Sequence, residues 1–401
     1  MASSAPVTVL CMASYEKGHD LLRACKAEGA RVLFVTVEKL RDAAWPHDAI
    51  DEIYYLPDDA SQQDLIHSVS YLARSEDIAR VIPLDEFDLE NAAALREHLR
   101  LPGLGLTAMR YFRDKLAMRM QARAAGIRVP DFVPVINYDE IRAFMDRCPL
   151  PWILKPRSEA SAIGLKKIKD PEVLWRTLDE LGDRQSHFLL EEFVAGDVYH
   201  VDGLVSNGEV LFSEAHRYAA TPFEVMHSGG LFATRTLGRD SDEATRCREH
   251  TVQLMKAFGL RHGAFHTEFI RDQDGQFHFL ETAARVGGAH IAEMLEASTG
   301  LNLWREWGRL EVANARGSTY TLPTPRTDYA GVLISLARQE HPDLSAYQDE
   351  EIVWRMQKKH HAGLIVRADT AERVAELLHG YMPRFYQDFH TSMPPPDKAT
   401  D

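Results

Sequence analysis

Short apolar runs alternate with amphipathic stretches over the first hundred residues of the chain. Runs rich in β-branched residues occur at Val7–Met12, Val32–Val37 and Arg80–Leu84. Glu16–Glu28, between the first two runs, and Leu89–Leu99, after the third, carry apolar residues at helical spacing. Strands that alternate with helices are typical of a parallel, doubly wound sheet, so the pattern predicts an α/β domain at the N-terminus.

The pattern changes after a turn-rich stretch at residues 101–105, which predicts a domain boundary. Beyond it, β-rich runs predict strands at Trp152–Lys155, Phe188–Phe193 and Val198–Val205, and helical spacing predicts helices at Asp242–Phe258 and Thr370–Leu378. We therefore expect an α/β protein with an α+β arrangement in its middle part and a small C-terminal α/β unit. Residues 393–401 hold three prolines among charged residues, which predicts a disordered tail.

Composition restricts the classes of function. The net charge of −14 argues against a nucleic-acid partner, because phosphate backbones require a basic surface. No signal peptide and no apolar stretch long enough to cross a membrane is seen, and the four cysteines lack metal-ligand spacing. We expect a cytoplasmic enzyme. The turn after the first predicted strand lacks the GxGxxG fingerprint, which argues against a dinucleotide oxidoreductase.

Two glutamates on a predicted hairpin are the clearest chemical feature. Asp274-Gly275 is a strong two-residue turn signal, and counting outward from it pairs Glu268 with Glu281. A three-residue loop would shift this register by one. Directly opposed carboxylates lie about 5 Å apart at Cβ and repel unless a cation lies between them. The alternative is a solvent-exposed hairpin, but four flanking phenylalanines favour a buried one, so we predict a Mg²⁺ site.

Two upstream segments suggest phosphate and nucleotide contacts. Lys155 ends a predicted strand and opens a loop of small residues, 156–164, whose backbone N–H groups could approach phosphate. Glu191 to Asp197 follows the next strand and could read an adenine edge and ribose hydroxyls. Each signal is weak alone, since strand-end lysines and acids are usually only solvated.

Taken together, these pieces resemble the ATP-grasp superfamily, in particular its carboxylate–amine ligase branch, which includes bacterial L-amino acid ligases. The resemblance covers about residues 1 to 310 and rests on five motifs in order: Arg113-Asp114-Lys115, Leu154-Lys155-Pro156, Leu190 to Gly196, Thr267-Glu268-Phe269, and Phe279-Leu280-Glu281 with Arg285. It implies an N-terminal α/β domain (1–106), two ATP-grasp lobes (107–190 and 191–310, the second with the metal site), a C-terminal unit (311–392) and the tail.

The resemblance also implies roles for individual residues. ATP contacts would come from Lys115, Lys155, Ser158, Ser161, Glu191, Glu192 and Val194, with Asp197 or His200 at the ribose. Glu268 and Glu281 would hold one or two Mg²⁺ ions, with Mn²⁺ as an alternative metal, and Arg285 and Lys155 would act in catalysis. Ala283 stands where the family often has an asparagine, which favours one metal over two.

The segment from His216 to Arg235 is the candidate substrate site. It lies between the motif Leu190 to Gly196 and the predicted metal-binding strands. Arg217 or Arg235 could pair with a carboxylate, His227 could assist removal of a proton from an amine, and Gly229 lies in the same segment. Ordinary surface charges and a structural loop are an equally good interpretation of this segment.

The implied function is an ATP-dependent carboxylate–amine ligase that works through an acyl-phosphate and releases ADP and phosphate. Its partners would be small-molecule carboxylates and amines, with neither nucleic acid nor membrane, and a homodimer is compatible with the resemblance. Two alternatives keep the fold: a ligase or carboxylase with a non-amino-acid nucleophile, and a non-catalytic ATP-binding protein.

Overall fold

A computed structural model of the protein describes residues 6–159 and 163–392. Within this part of the chain the strands are β1 (Thr8–Ala13), β2 (Arg31–Val37), β3 (Glu52–Leu56), β4 (Ile78–Pro83), β5 (Phe132–Pro134), β6 (Trp152–Pro156), β7 (Lys166–Ile168), β8 (Phe188–Glu192), β9 (Gly196–Ser206), β10 (Glu209–Tyr218), β11 (Phe232–Thr236), β12 (Gly263–Asp272), β13 (Phe277–Ala283), β14 (Tyr329–Leu336), β15 (Ile352–Arg355) and β16 (His361–Ala368).

The helices are α1 (His19–Ala27), α2 (Gln62–Leu72), α3 (Leu89–Leu99), α4 (Leu106–Met109), α5 (Lys115–Ala124), α6 (Tyr138–Arg147), α7 (Pro171–Leu181), α8 (Pro222–Ser228), α9 (Asp242–Phe258), α10 (Ile291–Thr299), α11 (Leu303–Ala315) and α12 (Ala371–Asp388). The spans predicted for α3 and α9 agree with these bounds, because helical periodicity is a local feature of sequence.

The N-terminal sheet is parallel, with strand order β3-β2-β1-β4. Successive side chains of β1 enter two different cores: Val9 packs with α1, and Leu10 packs with α2 and α3. Helices therefore cover both faces, which confirms the doubly wound α/β prediction. The sequence analysis missed β3, an edge strand whose residues are only half-buried or exposed and so lack a continuous apolar run.

The middle of the chain forms a small antiparallel sheet with order β5-β8-β6-β7. Its inner face packs on α6 and α7 through a core that includes Phe144, Trp152, Leu178 and Leu190. β6 pairs with β8 so that Lys155 lies opposite Leu189 and Ile153 opposite Glu191. The sheet thereby brings the two upstream motifs onto neighbouring strands.

The largest sheet is antiparallel and has eight strands in the order β13-β12-β9-β10-β11-β14-β16-β15. The C-terminal strands predicted as a small α/β unit form no sheet of their own in the described chain; β14 pairs with β11 and extends this larger sheet. α12 packs on β14 and β16. The tail prediction at 393–401 lies outside the described residues. None of the helices in the described ranges is long and apolar enough to cross a membrane.

Candidate active site

A cleft of about 690 Å³ lies between the small antiparallel sheet and the β13–β12 end of the large one. Its charged lining comprises Lys115, Lys155, Lys167, Glu191, Glu192, Glu224, His266, Glu268, Glu281 and Arg285. The rest of the lining is largely apolar and includes Ile153, Phe193, Val198, Tyr218, Phe232, Ile270, Leu280, Ile291 and Ile334. Each of the five motifs contributes a residue to this one cleft.

Glu268 and Glu281 are directly opposed on β12 and β13, as the register count predicts. The predicted two-residue turn is wrong. Asp272 N–H donates to Gln276 O at 2.9 Å, which leaves a three-residue loop, and Gly275 has a φ of +77°. A β-bulge between Glu268 and Phe269 then shifts the pairing of β12 with β13 by one residue. This shift places Glu268 opposite Glu281 again.

Both carboxylates have hydrogen-bonding or charged neighbours, and Glu268 Oε1 lies 3.3 Å from His266 Nε2. The Tyr218 hydroxyl donates to Glu268 Oε1 at 2.8 Å, and Lys115 Nζ lies 3.0 Å from Glu281 Oε2. Burial opposes ionisation of Glu281, but the positive charge of Lys115 outweighs it and holds the pKa of Glu281 below its usual value. The two carboxylates at the cleft wall form a donor set that suits a hard divalent cation.

Lys155, Glu191 and Arg119 form a buried ion triad behind the cleft wall. Glu191 carboxylate oxygens lie 2.5 Å from Lys155 Nζ and 2.6 Å from Arg119 Nε. Burial and the positive charge of Arg119 lower the pKa of Lys155 to about 8, although Glu191 opposes the shift. The adenine contact of Glu191 stays a prediction; its carboxylate is only 3% exposed and two cations hold it.

The motif from Leu190 to Gly196 offers backbone rather than side-chain groups to a ligand. Glu192 N–H donates to Asp131 O at 2.8 Å and its carboxylate accepts from Asp131 N–H at 3.2 Å. Among the described residues, the Val194 N–H has no hydrogen-bond acceptor, and Val194 lines the cleft. Val194 therefore provides an available donor at the apolar end of the cleft.

The two candidates for the ribose contact lie in different surroundings. Asp197 is exposed and pairs with Arg217 at 2.7 Å, outside the cleft lining. His200 is fully buried, and both of its ring nitrogens are engaged, by Asp202 at 2.6 Å and Thr234 at 2.7 Å. The ribose contact of His200 stays a prediction, and its ring could reach a ribose only by leaving this network.

A buried network that the sequence analysis missed connects His266 in the cleft to His200. Asp202 lies between them, with Oδ1 2.9 Å from His266 Nδ1 and Oδ2 2.6 Å from His200 Nδ1. Burial opposes a charge on His266, but Asp202 outweighs it and raises the pKa of His266 to about 10. The ligating atoms of the three residues lie within 4.8 Å, yet hydrogen bonds already satisfy them, so the network needs no metal.

Gly287 sits on this network, and a side chain there would disrupt it. A Cβ at Gly287 would lie 2.6 Å from Asp202 Oδ1, whereas a Cβ at Gly288 would meet nothing within 4 Å. We expect Gly287→Ala to destabilise the protein by about 1–3 kcal/mol, as overpacking does. Gly288→Ala is the matched control, and thermal unfolding of both variants is the measurement. Equal melting temperatures would contradict a close contact at Gly287.

Arg285 reaches across to the N-terminal domain. Its Nη2 lies 2.5 Å from Glu86 Oε2, and the other oxygen of Glu86 accepts from Arg113 at 2.9 Å. Burial opposes ionisation of Glu86, but Arg285 and Arg113 outweigh it and lower the pKa of Glu86 to about 2. The sequence analysis missed Glu86. The sequence feature that could have identified Glu86 is its position just after β4. This position is at the carboxyl edge of the parallel sheet, where ligand sites of α/β folds lie.

The predicted substrate residues are not brought into the cleft as a group. Arg217 and Arg235 are directly opposed on β10 and β11, and neither lines the cleft. Gly229 ends α8 with a φ of +63° and is also outside the lining. These three substrate contacts stay predictions, and the cleft lining instead includes residues of α8. The side chain of His227 lies outside what the structure describes.

The predicted phosphate loop is described only in part. Ser158 does not line the cleft, and its backbone carbonyl accepts from Arg113 Nη2 at 2.6 Å. Lys115 Nζ donates to Glu159 O at 2.5 Å, so the loop approaches the lysine through its backbone. Ser161 lies outside the described residues.

Comparisons with known proteins agree with this geometry. The ATP-grasp domain family matches residues 148–293. The L-arginine-specific L-amino acid ligase of Bacillus subtilis is 26% identical over 262 residues, which is 62% of each chain. D-alanine–D-alanine ligase of Neisseria gonorrhoeae is 28% identical over 206 residues, 50% of this chain and 66% of that one. The chain therefore aligns with less than two thirds of the length of these relatives.

The likeness in fold extends much further than the likeness in sequence. The crystal structure of an L-amino acid ligase from Bacillus licheniformis superposes with a TM-score of 0.73 over 96% of this chain and 99% of that chain, at 18% identity. A phosphoribosylglycinamide synthetase structure from Anaerococcus prevotii gives a TM-score of 0.70 at 16% identity. At such identities the likeness concerns the fold alone.

Proposed function

We propose, from the premise that residues 148–293 belong to the ATP-grasp family, that this protein is an ATP-dependent carboxylate–amine ligase. The observation that carries the proposal is the opposed pair Glu268–Glu281, which lines one cleft together with two lysines and Arg285. Ligases of this kind among the relatives, for amino acids in both cases, support the same class of reaction.

The donor set fits Mg²⁺. Glu268 and Glu281 supply the carboxylate oxygens that this ion prefers, and substrate phosphates and water would complete its shell. When bound, the ion would neutralise charge on the transferred phosphoryl group. Ala283 offers no further oxygen ligand two residues beyond Glu281, which supports one ion rather than two. The same oxygens would also accept Mn²⁺.

The reaction would proceed in two displacements. A substrate carboxylate oxygen attacks the γ-phosphorus of ATP, the bond to the β–γ bridging oxygen breaks, and ADP leaves. Lys115 and Lys155 would bind the phosphates and Arg285 would stabilise the charge of the acyl-phosphate. An amine then attacks the acyl carbon, the carbon–phosphate oxygen bond breaks, and the amine loses a proton as phosphate departs.

The apolar end of the cleft would hold adenine. Ile153, Val198, Ile270 and Leu280 line it, and the Val194 N–H is available to a ring nitrogen. Glu191 would act indirectly, because it keeps Lys155 in place. Asp197 remains the candidate for the ribose hydroxyls, since it is exposed at the start of β9.

The test is release of ADP and phosphate on a panel of amino acids, other carboxylates and amines with Mg²⁺–ATP. We expect release that depends on both an acid and an amine, with one ADP formed for each amide bond. AMP and pyrophosphate as products would rule out the acyl-phosphate route. ATP binding without release for any acid–amine pair would favour a non-catalytic ATP-binding protein.

A further inference from the structure

The cleft continues past the paired glutamates into an apolar region. Phe232 on β11 is directly opposite Ile334 on β14, and both line the cleft. The ring centroids of Phe232 and Tyr218 lie 5.7 Å apart. Tyr218 in turn donates its hydroxyl hydrogen bond to Glu268 at 2.8 Å. The apolar region therefore begins one side chain away from the metal-binding carboxylates.

Phe232 links two separate apolar clusters of the protein. One cluster contains Val198, Tyr218 and Ile270 at the nucleotide end of the cleft. The other contains Ile291 and is completed by the half-buried Ile334. α8 closes the region from the opposite side, through Val225 and Met226. The result is a pocket with aliphatic and aromatic walls, formed by Val225, Met226, Phe232, Ile291 and Ile334, that we call the side-chain pocket.

The acidic groups nearest to this pocket already have partners. The Glu224 carboxylate accepts from Thr221 N–H at 3.1 Å and from its hydroxyl at 3.0 Å, in the capping box of α8. Glu268 accepts from Tyr218. A guanidinium or ammonium placed in the side-chain pocket would lose its hydration without gaining a free carboxylate among the described lining residues, which is costly.

We propose that the side-chain pocket selects, as the substrate that is phosphorylated, a carboxylic acid with an apolar side chain, such as leucine or phenylalanine. The inference rests on the proposed ligase function. The carboxylate that attacks ATP must reach the phosphate at Glu268 and Glu281, so the side chain next to these glutamates belongs to that acid. The amine substrate approaches the acyl carbon after this step and does not need the pocket.

The test uses the full-length protein and measures binding rather than turnover. Calorimetry with Mg²⁺ and a non-hydrolysable ATP analogue gives the Kd of leucine, phenylalanine and arginine. We expect leucine and phenylalanine to bind at least about tenfold more tightly than arginine, since a single methylene in an apolar pocket already gives roughly 10–200-fold discrimination. Arginine binding that equals leucine binding, or no binding of either apolar acid, would overturn the proposal.

Two variants localise the effect. Phe232→Ala is expected to weaken leucine binding about tenfold or more, and Ile334→Asp to shift the arginine-to-leucine ratio of affinities at least tenfold toward arginine. Ile136→Ala is the control, because Ile136 is 62% exposed and lies outside the cleft. If a variant fails to fold, the affinities of the wild-type protein for leucine, phenylalanine and arginine decide the outcome alone. An unchanged ratio in both folded variants would contradict the assignment of the pocket.

Failure of this proposal differs from failure of the ligase function. Arginine that binds best and supports ADP release would leave the ligase intact and reject the apolar pocket. Leucine that binds tightly without ADP release in the presence of any amine would keep the pocket and reject the ligase.

Discussion

Replacement of Glu281 by glutamine is expected to lower Mg²⁺-dependent ADP release by about 10²-fold or more. The amide keeps the size of the side chain but removes one of the two opposed carboxylate charges at the cleft. A metal contributes several kcal/mol of charge stabilisation in the transition state, and each 1.36 kcal/mol corresponds to a factor of ten in rate. The loss of Glu281 also leaves Lys115 without its partner at 3.0 Å, so the phosphate-binding end of the cleft is affected as well.

The measurement is ADP release as a function of Mg²⁺ concentration, repeated with Mn²⁺. Glu249→Gln on α9 is the matched control, since Glu249 is exposed and has no ion pair within the described part of the chain. A Glu281→Gln enzyme with unchanged turnover and unchanged metal dependence would contradict the metal assignment. Turnover restored at high Mg²⁺ concentration would instead support it, because the defect would then be one of metal affinity.

Substitution of glutamine for Glu191 is expected to destabilise the folded protein by about 3–5 kcal/mol. Glu191 is the shared counter-ion of Arg119 and Lys155, and all three side chains are at most 8% exposed. Removal of one partner leaves buried charge without compensation, which costs far more than the intact pair contributes. Glu191 also opposes the downward shift that brings the pKa of Lys155 to about 8. Without it, Lys155 would lose its proton nearer to neutral pH and bind phosphate less well.

Urea unfolding measures the loss of stability in Glu191→Gln, and the pH dependence of ATP binding measures the change in the pKa of Lys155. Glu192→Gln is the control for stability, because Glu192 is half-buried and, within the described part of the chain, its carboxylate accepts only the Asp131 N–H. Glu191 has a folded pKa below its usual value, so its stabilisation is present above the unfolded pKa and is lost as the pH falls through the folded one. The variant should therefore lose less stability than the wild type on acidification. Equal free energies of unfolding of Glu191→Gln and the wild type at pH 7 would refute a stabilising role of the buried ion triad.

The hairpin illustrates how a correct pairing came from an incorrect turn. The count through Asp274-Gly275 predicted opposed glutamates, and they are opposed. The three-residue loop and the bulge near Leu280 each displace the register by one residue in compensating directions. Loop length follows from local turn chemistry, which the dipeptide only partly specifies, whereas the bulge depends on packing of β13 against its surroundings.

The sequence by itself determined the elements whose signals are local. Apolar periodicity located α3 and α9, and short apolar runs located β1, β2, β4 and β8. The order of five motifs brought out the ATP-grasp resemblance, and Lys115, Lys155, Glu268, Glu281 and Arg285 all line the one cleft. Lys115 begins α5, Arg285 follows β13, and the other three lie on strands, so their positions depend on elements that the local pattern specifies.

Only the tertiary structure decided which polar residues meet. Glu86 is 199 positions from Arg285 in sequence, yet their side chains form an ion pair. His200 looked available for a ribose, but the pairing of β9 with β12 buries it beside Asp202 and His266. Arg217 and Arg235 looked suited to a carboxylate but lie outside the cleft. Side-chain direction and partners depend on strand register and sheet order, and these are fixed by contacts between distant segments that a linear pattern does not record.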